Sequence, residues 1–228
     1  MKGPVAALIA ASLGMAALPG CQKTEAPAVA DAPAPVAQAP VAPAEPAPAT
    51  TGFPEHVYFG DTHLHTSYSV DAGAFGARLA PRDAYVFAKG NEVTASSGQP
   101  AKLRRPLDFL VVADHSDAMG FFPLILAGTP EIMADPQGKK WHDMIKSGQG
   151  NAAALDIIGS FSNGTISKAI LPLPGTPAYI SAWQDTIKAA EGANDPGRFT
   201  AFIGFEWTSN TGGNNLHRNV VFRDDGDK

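Results

Sequence analysis

Apolar positions along the chain fall into short runs separated by polar and Gly/Pro-rich stretches, and the length of each run sorts it into strand or helix. Val57-Tyr58-Phe59-Gly60 predicts a first strand over 57–60. "LDFLVVA" over 107–113 predicts a second, and its apolar residues are continuous rather than alternating, as in a parallel strand buried on both faces. "FTAFIGF" over 199–205 and "NVVF" over 219–222 predict two more. Between the first two, "PRDAYVFAKG" predicts a helix that opens near Pro81 and closes at Gly90. The stretch 119–194 is longer than a simple crossover needs. It predicts helices near 130–147 and 178–190, broken by "LPLPGTP", and is expected to decorate one face of the domain as a helical insertion or lid. Strands alternating with helices imply an α/β architecture with parallel strands.

The first part of the chain has a different pattern. Lys2 precedes an apolar stretch from Val5 to Leu18, the length of a signal-peptide core and too short to span a bilayer as a helix. It ends in Leu18-Pro19-Gly20-Cys21, which resembles a bacterial lipobox with cleavage before Cys21 and lipid on its sulfur. An ordinary secretory signal with a chance cysteine is the alternative. Residues 22–54 are rich in Ala and Pro and have almost no large apolar side chains, so they cannot bury a core. At roughly 3 Å per residue in polyproline II, such a tether reaches on the order of 100 Å. The expected organisation is therefore a signal peptide over 1–21, a disordered tether over 22–54 and one folded domain over 55–228. The expected location is the cell envelope, on the periplasmic side of the outer membrane or at the cell surface, with the membrane as partner through the Cys21 lipid.

Charge and cysteine content narrow the function classes. The net charge of −5 and the lack of a dense Lys/Arg stretch predict no nucleic-acid face. Cys21 is the only cysteine, so neither an intrachain disulfide nor a cysteine-based zinc site can form.

Candidate chemistry sits at the ends of the predicted strands. In "FGDTHLHTSYSVDAG", His63 and His65 are two residues apart, so an extended backbone points both the same way and they can converge on one cation. Asp61 shares that alternation and can join them or orient one imidazole. Asp114-His115 follows the most apolar strand directly, where charged and imidazole groups are costly unless paired or metal-bound. Glu206 in "FIGFEWTS" occupies a similar place, and a carboxylate there can bridge two cations. His217 in "NNLHRNVVF" comes at the beginning of its strand rather than the end. Taken singly, these features also suit a solvated His pair, a capping Asp, a rim salt bridge and a hydrogen-bonded structural His. His56 and His142 have no apparent companions and read as surface residues. The chain contains neither a Gly-x-Ser-x-Gly elbow nor a Walker-type phosphate loop.

Together, "GDTHLHTSYSVDA", "RPLDFLVVADHSD", "FIGFEWTS" and "LHRNVVFRD" resemble, in order, the early metal-binding motifs of the polymerase and histidinol phosphatase (PHP) superfamily. The closest resemblance is to the bacterial domain of unknown function family 3604. It implies the N-terminal part of a distorted (β/α)7 barrel holding two or three divalent metal ions (Zn, Mn or Fe) at the carboxyl ends of the strands. It further implies that His63 and His65 bind a first metal and that Glu206 bridges it to a second. Asp71 and His115 would hold a third, while His217 matches a motif histidine whose ligand role varies. Asp61 and Asp114 are implied to support the ligands rather than bind metal. The superfamily pattern continues with a further His motif and a final Asp-x-His pair, which nothing after His217 supplies. The 228-residue chain is therefore expected to be a truncated, inactive piece of a complete hydrolase.

The expected activity is hydrolysis of a phosphoester by a metal-activated water acting on a small-molecule substrate, with Arg218 as a residue to grip the substrate anion. Two alternatives stand beside it. One is an amidohydrolase-like enzyme that cleaves C–N or C–O bonds. The other is a non-catalytic, surface-anchored binding protein with a relict metal site.

Overall fold

The computed structural model describes residue 52 and residues 55–209 and 216–228. The expected signal peptide, Cys21 and nearly all of the expected tether lie outside these residues. Among the described residues, no helix is long and apolar enough to cross a membrane.

The first half runs β1 (Gly60–Leu64), α1 (Val70–Ala74), α2 (Pro81–Ala88), a small antiparallel pair β2 (Val93–Thr94) and β3 (Pro100–Ala101), then β4 (Phe109–Val112). Five helices follow: α3 (Phe121–Ala127), α4 (Pro130–Ala134), α5 (Pro136–Lys146), α6 (Gly150–Ser162) and α7 (Pro177–Ala193). The chain then returns through β5 (Thr200–Phe202), β6 (Gly204–Ser209) and β7 (Leu216–Val221). β1, β4 and β5 form a parallel sheet in that order, whereas β6 and β7 pair antiparallel with each other.

Several elements depart from expectation, each for a local reason. The first strand begins where the predicted one ends. Val57, Tyr58 and Phe59 are exposed, and pairing with β4 starts at Gly60 opposite Phe109. The predicted strand over 199–205 is two strands, because the sheet pairing of β5 ends at Phe202 and Gly204 starts the ladder with β7. That ladder cannot be parallel: a parallel return needs a crossover of a dozen or more residues, and too few separate β6 from β7. The predicted helix over 130–147 breaks at Asp135, which precedes Pro136 and is held extended by it. Asp135 then caps α5, accepting from the N–H groups of Gln137 and Gly138 at 2.8 and 3.0 Å. The predicted helix over 178–190 is the core of α7, whose cap is Thr176.

Among the described residues, two larger cores hold these elements, beside a smaller one of Ala74, Phe122 and Ala154. In the first, α2 and α7 cover one face of the parallel sheet, burying Tyr85, Ile187 and Ala190 against Leu110 and Val112. Each such large side chain contributes about 1.5–3 kcal/mol through removal from water. The Tyr85 hydroxyl donates to the Phe202 carbonyl at 3.0 Å, and burial pushes the phenol up to about 12. The second core lies inside the helical segment, where Phe121, Ile125, Trp141 and Ile157 pack together with Val70 of α1. His142, expected on the surface, is half-buried with Nδ1 at 2.8 Å from the Ile125 carbonyl near the end of α3. The helical segment thus grips α1, and α1 carries Asp71.

Candidate metal centre

The pairing between β1 and β4 shifts at the motif that carries the histidines. Asp61 faces Leu110 and Leu64 faces Val112, so three steps on β1 match two on β4. The extra residue breaks strict alternation between Asp61 and His63. Asp61 remains exposed and its Oδ1 accepts the His63 backbone N–H at 2.8 Å. It supports His63 through the backbone and belongs to none of the groups able to hold an ion.

After β1 the chain turns and is pinned by Asp114, which is fully buried. Its carboxylate accepts from the Thr66 N–H at 2.5 Å and the Thr66 hydroxyl at 2.6 Å. Burial raises its pKa to about 6 in spite of these bonds. Asp114 therefore ties the end of β4 to the turn that carries His65, and contributes no ligand to the cluster.

Beyond Asp114, the strand direction of β4 continues into a parallel bridge between His115 and Glu206. The Glu206 N–H donates to the Asp114 carbonyl at 3.0 Å, and the Ser116 N–H donates to the Glu206 carbonyl at 2.7 Å. On β6 and β7, Thr208 faces His217 and Glu206 faces Asn219 in the ladder. Asn219 reaches back to β1, donating to the Thr62 carbonyl at 2.8 Å.

Six side chains meet as a result. They form three overlapping groups, His63/His65/Glu206, His65/Asp71/His115 and His115/Glu206/His217, with candidate ligand atoms of each group within 4.8 Å of one another. Glu206 is at the centre and only 1% exposed. Its Oε2 lies 3.2 Å from His63 Nε2, 3.0 Å from His65 Nε2 and 3.4 Å from His115 Nδ1. None of these contacts has the direction of a hydrogen bond, and Oε2 is left buried without a hydrogen-bond partner. Its other oxygen, Oε1, is 2.6 Å from His217 Nδ1. Nitrogen and oxygen donors crowded around an unsatisfied carboxylate oxygen fit a cation better than a hydrogen-bond network.

Ser69 and Thr208, which the sequence reading did not single out, orient the rings. The Ser69 hydroxyl donates to Asp71 Oδ1 at 2.7 Å, so its lone pairs face the His65 Nδ1 at 2.8 Å and the His115 N–H at 3.2 Å. One hydroxyl proton serves one acceptor, so His65 must carry its proton on Nδ1, leaving Nε2 as the candidate ligand atom toward Glu206. Thr208 Oγ1 lies between His115 Nδ1 and His217 Nδ1 at 2.9 and 3.1 Å. Its own N–H donates to Asp117 Oδ2 at 3.1 Å. A hydroxyl two residues beyond a candidate ligand on the same strand is the signal that would have identified Thr208.

The charges are mutually reinforcing. Burial acts against the anion at Asp71, but hydrogen bonds with His115, His65 and Ser69 outweigh it and hold the carboxyl well below its ordinary range. Burial opposes the Glu206 anion as well, and the surrounding imidazoles outweigh it in the same direction. For His65, burial lowers the pKa, but Asp71, Glu206 and Asp114 more than compensate and raise it.

Arg218 is not brought to this cluster. It pairs with Trp207 in the ladder, one position out of phase with Glu206 and Thr208, and its guanidinium lies 5.4 Å from the Trp207 ring centre. Beside the cluster, a cavity of about 220 Å³ is bounded by Asp71, His115 and His217 together with Val70, Ile158 and Phe161. The helical insertion therefore reaches the candidate site through α6.

Residues 52–228 match the family described as "Protein of unknown function (DUF3604)", and the chain belongs to that family. No curated protein and no solved structure matches.

Proposed function

We propose that this member of the DUF3604 family is, in its complete form, a metal-dependent hydrolase that cleaves a phosphoester with water. The observation that carries this reading is the buried Glu206 Oε2, which has three imidazole nitrogens within 3.4 Å and no hydrogen bond. The resemblance of the four motifs to the PHP superfamily supports the phosphoester over other substrates. On the same resemblance, we assign the parallel sheet to a PHP-type (β/α)7 barrel and the site to two or three Zn, Mn or Fe ions.

His63, His65 and Glu206 would hold one ion, Glu206 and His217 would reach a second, and Asp71 and His115 would hold a third. Divalent ions so bound would lower the pKa of water toward neutrality and offset charge on the phosphoryl oxygens. The protein supplies the arrangement. His65 and His115 are deep, with side chains 16% and 12% exposed, whereas His63 and His217 are about half exposed at 48% and 46%. The cluster is therefore open on the side of His63 and His217, where a phosphoryl group would approach the ions held there. Ser69 keeps the proton of His65 on Nδ1, and Thr208 holds the rings of His115 and His217. The reaction adds water across the P–O ester bond and releases phosphate and an alcohol.

The leader completes the proposal. Residues 1–21 would direct export, Cys21 would carry lipid, and residues 22–54 would hold the domain off the membrane of the cell envelope.

The test is hydrolysis of p-nitrophenyl phosphate by protein loaded separately with Zn, Mn and Fe, run beside amide and lactone substrates. Phosphate release that disappears on chelation, and in the His63→Ala and His65→Ala variants, is the expected result. Cleavage of the amide or lactone without phosphate release would favour an amidohydrolase, and no cleavage with no bound metal would favour the relict site.

A further inference from the structure

The cavity beside the cluster has two unlike walls. Asp71, His115 and His217 form the polar one, and Val70, Ile158 and Phe161 form the other. On α6, Ala153, Ala154 and Ile157 turn into the helical cores. Ile158 and Phe161 are three residues apart, share a neighbouring stripe of that helix and line the cavity. The insertion thus brings an apolar surface to within one small molecule of the candidate ligands.

We propose that this wall binds the organic group of the substrate and selects phosphomonoesters of an apolar alcohol no larger than one ring, such as an aryl phosphate. This rests on the phosphoesterase reading above. Size sets the upper limit: a cavity of about 150 Å³ takes one benzene, and drug-sized ligands occupy about 300–1,000 Å³. At about 220 Å³ as bounded by the described residues, the space beside His115 encloses a single ring and is too small to enclose a nucleoside. Chemistry sets the class. On the α6 wall the hydroxyls of a sugar would find only Ser162 beside Ile158 and Phe161, whereas a ring gains contact with both apolar side chains.

The experiment measures binding as well as turnover. Calorimetry on the metal-loaded protein would compare phenylphosphonate with methylphosphonate, neither of which can be hydrolysed as an ester. The expected result is at least a roughly tenfold preference for phenylphosphonate, within the range by which apolar pockets discriminate. Phe161→Ala and Ile158→Ala should each shrink that preference while methylphosphonate binding and metal content stay unchanged. Phe161→Leu, which keeps the helix packing, should lose only part of it. Equal binding of the two phosphonates, no binding of either, or a preference that survives both alanine variants would overturn the proposal. A preserved aryl preference without phosphate release from phenyl phosphate would uphold the pocket and sink the phosphoesterase reading.

Discussion

His115 and Glu206 are joined twice, first as neighbours in a parallel bridge and then by side chains 3.4 Å apart. The backbone bonds on either side of that bridge fix the distance between a candidate ligand at the end of β4 and the buried carboxylate of β6. The carboxylate is therefore delivered to the imidazoles by main-chain hydrogen bonds, and side-chain attraction need not position it.

Replacing Glu206 with Gln should remove the candidate bridge without changing its shape. The amide cannot neutralise cations or offer two anionic oxygens, and His63, His65, His115 and His217 lose their shared counter-charge. Metal content of the purified variant should fall by at least about tenfold in affinity terms, the size associated with disturbing even the outer partners of a metal site. Elemental analysis decides it, and an unchanged metal-to-protein ratio would count against the centre.

Metal affinity should rise with pH through and above the ordinary histidine range. His65 is raised by its carboxylate neighbours, so it retains a second proton at a pH where a free histidine has released it. A cation must displace that proton, and binding weakens as pH falls. Zinc titrations at pH 6, 7 and 8, with proton release followed in two buffers, test the direction. Affinity independent of pH would contradict it.

Asp114 should give the metal-free protein a stability that declines between about pH 4 and 6. Its folded-state pKa is raised to about 6, so in that window the folded chain holds a proton that the unfolded chain has lost. At about 1.36 kcal/mol per unit the cost is on the order of 3 kcal/mol above that window. Asp71 and Glu206 act oppositely: their stabilisation is present above the ordinary carboxylate range and lost as pH falls below it. The contribution of His65 is full below its ordinary pKa and lost as pH rises through its raised value. Urea unfolding of wild type and Asp114→Asn at pH 4.5 and 6.5 separates these effects, and the variant should lack the decline.

Gly73→Ala should damage the site from a distance. A Cβ on Gly73 would lie 2.6 to 2.7 Å from carbons of Phe122, so α1 would have to move off α3. Overpacking costs about 1–3 kcal/mol, which outweighs the gain of up to about 1 kcal/mol in helix propensity. Asp71 rides on α1, so metal affinity should fall along with stability. Adding Phe122→Leu should recover part of both, and a double-mutant cycle reading zero coupling would refute the mechanism.

Much of the donor set was legible in the sequence because the costs that mark it are local. Asp114-His115 follows an apolar run, and Glu206 interrupts one, so burial without partners was unfavourable wherever the strands lay. The alternation of His63 and His65 carried similar weight. Asp61 followed the same alternation but is displaced by the register shift, which depends on pairing with β4. Arg218 follows His217 directly, yet one step along a strand reverses the face, and the ladder with Trp207 carries it away from the cluster.

By itself, then, the sequence determined which residues could ligate a cation, the α/β class and the place of the long helical segment, since composition and periodicity act within a few residues. Tertiary structure alone decided that β7 runs antiparallel to β6, that Ser69 and Thr208 orient the rings, and that α6 walls the cavity. Each of these depends on backbone pairing or packing between distant segments, and no short-range pattern encodes the register in which such segments meet.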